Sequence, residues 1–143
     1  MADAKTREEV SVRNTIQHFE IYGDDPPKLA EFYKGLFGWK IEPAQEFPDY
    51  WMVRTVPTDE KGRPTEPGVN GGMMKRPMPD APALAWLNYV TVASIDETVK
   101  QAQSLGAKVN RPKSPVPKMG WFAILTDPQR NVFAIWQEDP KAG

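Results

Sequence analysis

Leu36-Phe37-Gly38-Trp39-Lys40-Ile41 and Ser104-Leu105-Gly106-Ala107-Lys108-Val109 end two helix-like stretches in the same way. Each has an aliphatic or aromatic residue, a glycine suited to the left-handed helix stop, one further residue, a lysine and an aliphatic residue that opens a strand. The two glycines lie about half a chain length apart, so the sequence reads as one small unit written twice in tandem.

Working outward from the first copy, Thr15 to Tyr22 alternates and is rich in β-formers, which predicts a strand broken by Gly23-Asp24-Asp25-Pro26-Pro27. Asp25 before Pro26 has the form of an N-cap followed by proline at the first helical position. Leu29, Phe32, Tyr33 and Leu36 then recur with helical spacing and predict one apolar face packed on a sheet. Strands are expected at Trp39 to Pro43, Tyr50 to Val56 and Gly68 to Met74, with the polar 57–67 stretch as a mobile loop. The second copy keeps this order. Leu87 to Val92 reads as a strand, Ser94-Ile95-Asp96-Glu97 has capping-box spacing, and Val99, Ala102 and Leu105 line a helix face. Strands follow at Ala107 to Asn110, Trp121 to Thr126 and Val132 to Gln137. Each unit is therefore β-α-β-β-β, an α+β architecture. The expected organisation is a flexible arm over 1–11 and one domain over 12–143. Within that domain, module one covers 12–76, a proline-bearing linker 77–84 and module two 85–138.

With 143 residues and 40% hydrophobic content, the chain can bury one substantial core, whereas two independent domains would each be marginal. Eighteen basic against 19 acidic residues leave a net charge of −1 with no basic stripe, which argues against nucleic acid or an anionic membrane as partner. A small organic ligand fits better. The absence of cysteine removes disulfides, thiolate metal sites and Cys nucleophiles, and suits a cytoplasmic location. No apolar run has the length of a membrane span, and the N-terminal residues lack the apolar centre of a signal peptide. Gly71-Gly72 lacks phosphate-loop spacing and precedes no helix, so these glycines are expected to permit close backbone approach or a bulge.

The strand from His18, the Phe32-Tyr33 helix with Leu36-Phe37-Gly38-Trp39, the Gly71 to Pro77 segment and the ending Asp127-Pro128-Gln129-Arg130-Asn131-Val132-Phe133-Ala134-Ile135-Trp136-Gln137 resemble the glyoxalase/bleomycin-resistance/dioxygenase family, also called the vicinal oxygen chelate superfamily. Within it the chain is most similar to short bacterial proteins related to lactoylglutathione lyase. The resemblance covers about His18 to Gln137. It implies two βαβββ modules of curved mixed sheet forming a cleft with the helices outside, commonly in a homodimer. Members that hold a divalent metal take ligands, typically His, Glu or Gln, from the first and last strands of each module. Carried onto this sequence, those positions hold His18, Asn88, the Val69-Asn70-Gly71-Gly72-Met73 strand and Ala134. His18, the single histidine, is the only plausible metal ligand among them, so no metal site and no cofactor are expected, with a divalent ion as the alternative.

By the two-residue strand period, His18, Glu20 and Tyr22 share one face and bring an imidazole, a carboxylate and a phenol together. His18 and Glu20 are the candidate acid/base pair. The bland reading is that His18 is a hydrogen-bonded packing residue and Glu20 a cross-sheet ion-pair partner. Tyr22, Trp51, Met73, Asn88, Trp121 and Trp136 are the candidate ligand-binding residues, since aromatic walls with methionine suit a planar or apolar ligand. Periodicity does not say which of two adjacent residues faces the cleft. Trp86 is a candidate for the mouth of module two or for a dimer contact. Three functions stand open: a lyase, isomerase or epimerase with an incomplete metal site, a sequestering binder like the bleomycin-resistance proteins, and a divalent-metal-dependent glyoxalase or dioxygenase.

Overall fold

A computed structural model of the chain describes residues 12–76 and 86–143. The expected arm over 1–11 and linker over 77–84 lie outside the described residues. The elements run β1 (Ile16–Gly23), α1 (Pro26–Phe37), β2 (Lys40–Pro43), β3 (Tyr50–Arg54), β4 (Gly71–Lys75), β5 (Trp86–Thr91), α2 (Ile95–Ser104), β6 (Lys108–Val116), β7 (Gly120–Thr126) and β8 (Val132–Glu138). Among the described residues this is βαβββ twice, an α+β fold of eight strands and two helices with mixed pairing. By contacts the described residues divide into two compact units, one within Gln17–Asn88 and the other within Tyr89–Gly143 together with residues 12–16.

In the first unit the strands are ordered β2-β3-β4-β1. Strands β2, β3 and β4 pair antiparallel, while β1 and β4 run parallel, which the long connection through α1, β2 and β3 permits. Asp25 caps α1 by accepting from the Lys28 N–H at 3.3 Å, and Gly38 closes it with φ +71°. The core is Phe19, Ile21, Ala30, Ile41, Val53 and Met73, with Leu29, Tyr33, Trp39, Trp51 and Val69 packed against it. Burial of each large side chain stabilises the unit by about 1.5–3 kcal/mol. Around this core, Trp86 stacks on Phe19 with ring centroids 5.3 Å apart and meets Tyr33 and Trp39 edge-on. The helix face differs from expectation. Leu29, Ala30 and Tyr33 face the sheet, whereas Phe32 and Leu36 stand more than half exposed, so the inward stripe is narrower than the apolar residues suggest.

In the second unit the order is β5-β8-β7-β6. Ser94 caps α2 by accepting from the Glu97 N–H at 3.2 Å. Val99 and Ala102 pack on a core of Val92, Ile95, Ala123, Leu125 and Ile135, while Leu105 lies past the helix end and is exposed. Strand β6 runs well beyond the expected Asn110, through Pro112 and Pro115. It lies at the end of the strand order, and its register shifts beside the prolines, which are the conditions under which a strand tolerates residues without an N–H.

Within the 57–67 stretch, expected to be a mobile loop, and at its edge, side chains accept backbone hydrogen bonds. Asp59 Oδ1 accepts from the Lys61 and Arg63 N–H groups, and Asn70 Oδ1 ties down the N–H groups of Thr55 and Val56 at 2.7 and 3.0 Å. Among the described residues no helix is long and apolar enough to cross a membrane.

Candidate functional site

The pleat of the first unit sorts its residues. Phe19 and Ile21 on β1, Val53 on β3 and Met73 on β4 point to the helix-side core. Strand alternation then places His18, Glu20, Tyr22, Tyr50, Met52, Gly72 and Met74 on the opposite face. Register agrees: Glu20 lies opposite Gly72, which lies opposite Met52, and Tyr50 lies opposite Met74.

On that face four polar groups are joined. Glu20 accepts from the Tyr22 hydroxyl at 2.7 Å through Oε1 and from the Tyr50 hydroxyl at 3.0 Å through Oε2. His18 Nε2 lies 3.0 Å from the Tyr50 oxygen but 3.7 Å from Glu20 Oε2. The His18 side chain is 35% exposed and that of Glu20 only 12%. Burial, followed by the charge of Glu20 and its hydrogen bond, pushes the Tyr50 hydroxyl far above the ordinary phenol pKa, so it stays protonated. A weakly exposed carboxylate beside an imidazole, both anchored by phenols, can hold and move a proton at a bound ligand.

Tyr50 reaches this cluster because of Gly72. Tyr50 belongs to β3 and Glu20 to β1, with β4 between them. Two strand spacings amount to about 9.6 Å, and the ring crosses that gap only over a residue without a side chain. A Cβ at Gly72 would stand 1.7 Å from the Tyr50 hydroxyl oxygen. Its neighbour Gly71 serves the close backbone approach, since a Cβ there would meet the Phe19 carbonyl oxygen at 2.3 Å.

The expected ligand-binding residues divide. Tyr22 lies with His18 and Glu20. Met73 is fully buried in the first core and Trp51 packs against that core, so neither stands on the face of the polar cluster. Trp121 packs against the second core, its indole N–H donating to Asp139 at 3.0 Å and Lys113 Nζ lying 4.6 Å from its ring centroid. Asn88 is exposed and alternates with Leu87 and Tyr89, which puts it on the same side of β5 as core-packed Val90. Trp136 takes the face away from α2, opposite Phe122 and Thr91. Tyr50 and Gly72 are the residues that sequence reasoning missed. The sequence of β3 and β4 carries no clear phase; it is the burial of Val53 and Met73 in the core that turns Tyr50 and Gly72 outward.

The divalent metal implied by the family needs several nitrogen or oxygen donors converging at about 2.0–2.2 Å. Both His18 Nε2 and Glu20 Oε2 already engage the Tyr50 hydroxyl. The other implied positions carry Asn88, on the helix side of its strand, and the methyl group of Ala134. No three His, Cys, Asp or Glu residues group together among the described residues, so this donor set does not fit a full ligand quartet.

A family model described as a glyoxalase-like domain matches residues 19–136. The chain belongs to the glyoxalase-like family. This glyoxalase-like protein is 35% identical over 71 residues, half of its length, to the Mycobacterium tuberculosis protein named "Putative glyoxylase CFP32", of which the match covers 27%. It is 24% identical over 134 residues to the anthracycline biosynthesis protein DnrV of Streptomyces peucetius, covering 87% of this chain and 47% of that one. The chain thus spans half or less of the length of these curated relatives. Among solved structures it is similar to a variant of methylmalonyl-CoA epimerase from Streptomyces coelicolor in complex with 2-nitronate-propionyl-CoA. That likeness has a TM-score of 0.59 at 15% identity over 91% of this chain and 98% of the other, which is a likeness of fold.

Proposed function

We propose that this glyoxalase-like protein binds a small carbonyl compound on the face carrying His18, Glu20, Tyr22 and Tyr50, and moves a proton on it as a lyase or isomerase without a full metal centre. One observation carries the reading: an imidazole and a carboxylate stand 3.7 Å apart on one strand, with the carboxylate largely withdrawn from water. Breaking a C–H bond next to a carbonyl needs a positioned base, and returning the proton needs an acid. Such groups typically contribute about 10²–10⁴-fold in rate. An imidazole has one nitrogen that can accept a proton and one that can donate it, and so suits either role. Met52 and Met74 supply soft apolar contacts beside the pair, and the same fold carries an epimerase in the Streptomyces coelicolor structure.

A second reading, a sequestering binder that breaks no bond, is favoured by a different observation. Both Glu20 oxygens accept phenolic hydrogen bonds within the protein, which occupies the candidate base. Thermal-shift screening of 2-oxo acids, hydroxyketones and malonyl-type thioesters, followed by proton NMR of each hit in D2O, separates the two. Protein-dependent exchange of the α-proton, lost in His18→Ala, supports the enzyme. Hits that stabilise the protein without any exchange support the binder, and a screen without hits contradicts both. The homodimer implied by the family is proposed with either reading, and a monomer mass in sedimentation equilibrium would refute it.

A further inference from the structure

We propose that Tyr50 is a third working residue of this site, a phenol that passes a proton between His18 and Glu20 without ionising, seated there by the space that Gly72 leaves. The proposal rests on the acid/base reading above and adds to it the route of the proton and the tautomer of the histidine.

The distances select Tyr50 as the intermediary. His18 Nε2 and Glu20 Oε2 are 3.7 Å apart, too far for a good hydrogen bond. The Tyr50 oxygen is 3.0 Å from each of them. A phenol has one hydrogen to give and oxygen lone pairs to accept with. The Tyr50 hydrogen goes to Glu20, whose carboxylate has only acceptor oxygens. The phenol oxygen therefore offers His18 a lone pair, and Nε2 must carry the hydrogen of that contact. The orientation of one hydroxyl thus assigns the tautomer of the ring.

The transfer balances. The Nε2–H bond breaks as its hydrogen joins the Tyr50 oxygen, while the Tyr50 O–H bond breaks and that hydrogen joins Glu20 Oε2. Imidazolium and carboxylate become neutral imidazole and carboxylic acid, and Tyr50 ends as the phenol it was. The reverse transfer restores the charges. Both bonds change together, because burial and the neighbouring carboxylate disfavour a phenolate at Tyr50. The Tyr22 hydroxyl on Oε1 holds Glu20 in place during the exchange.

Gly72 is a positioning residue. A Cβ there would meet the Tyr50 oxygen at 1.7 Å and Cζ at 2.1 Å, so any side chain at this position displaces the whole ring and not its hydroxyl alone.

The single histidine of the chain makes the test direct, because every imidazole signal in a long-range proton–nitrogen NMR spectrum belongs to His18. At a pH where the ring is neutral and with no ligand added, the expected spectrum is that of the Nε2–H tautomer. Tyr50→Phe keeps the ring and removes the oxygen, and should move His18 toward a mixture of tautomers and speed exchange of its ring N–H with water. Gly72→Ala should give the same change, and if that variant fails to fold, Tyr50→Phe alone decides. An Nδ1–H tautomer in the wild type, or a His18 spectrum unaltered in Tyr50→Phe, overturns the relay. A Gly72→Ala protein with a wild-type His18 spectrum overturns the seating of the ring. Because the spectrum is read without substrate, its outcome is separate from whether any ligand is turned over.

Discussion

The two βαβββ repeats use the same device and fill it differently. On the face away from the helix, each sets an aromatic ring over a glycine. In the first, Gly72 makes room for Tyr50. In the second, a Cβ at Gly120 would lie 2.5 Å from Trp136 Cζ2. Around Tyr50 stand His18, Glu20 and Tyr22. Around Trp136, alternation places Phe122, Ile124, Tyr89, Thr91 and Ala134, with the Arg111 guanidinium 5.1 Å from the Phe122 ring centroid. One scaffold thus carries hydrogen-bonded acid/base groups in one copy and a mostly apolar aromatic wall in the other. Duplication supplied the geometry twice, while the chemistry follows which side chains occupy it.

Several substitutions can break or sharpen this contrast. The largest expected effects are in the cores, where the repeats should behave alike. Met73→Ala and Leu125→Ala each delete a fully buried side chain and should each lower unfolding free energy in urea by about 2–5 kcal/mol. A loss well under about 1 kcal/mol for Met73→Ala would return Met73 to the list of ligand contacts. Next come the glycines. Gly72→Ala and Gly120→Ala should each cost about 1–3 kcal/mol by overpacking. Gly120→Ala should be the costlier, because its Cβ also meets the Gln137 carbonyl oxygen at 2.4 Å, and backbone yields less readily than a side chain. Equal losses would mean that both aromatics simply swing aside.

The smallest effect is one of pH, in the turn before β8. Hydrogen bonds from Asn131, backbone and side chain, and from the Gln129 N–H hold the Asp127 carboxyl below the usual carboxylate range. A pKa depressed by folding stabilises above the unfolded value, and that contribution is lost as pH falls through the folded one. Asp127→Asn should therefore flatten the acid limb of a Tm profile below about pH 4, and an unchanged limb would remove this turn from the account.

The fold was legible because its signals are local and redundant. Asp25-Pro26, Ser94, Gly38 and Gly106 mark helix ends, and His18 to Tyr22 alternates. The same alternation made His18, Glu20 and Tyr22 readable as one face, since Phe19 and Ile21 between them can only be core. Strands β3 and β4 gave no such phase. Tyr50-Trp51-Met52 and Gly71-Gly72-Met73-Met74 offer similar side chains to both faces, so Trp51 and Met73 could not be told from Tyr50 and Met74 without the core they touch. The exposed Phe32 and Leu36 escaped for a related reason: helical spacing identifies an apolar stripe but not how much of it a short helix buries.

The claim that chemistry resides in the first repeat is tested most directly by measuring α-proton exchange of one confirmed carbonyl ligand in D2O with Glu20→Gln and Trp136→Phe side by side. The account predicts that Glu20→Gln lowers the exchange rate by about 10²–10⁴-fold, whereas Trp136→Phe, in the other repeat, keeps it within about tenfold. Exchange that survives Glu20→Gln and collapses in Trp136→Phe would contradict it.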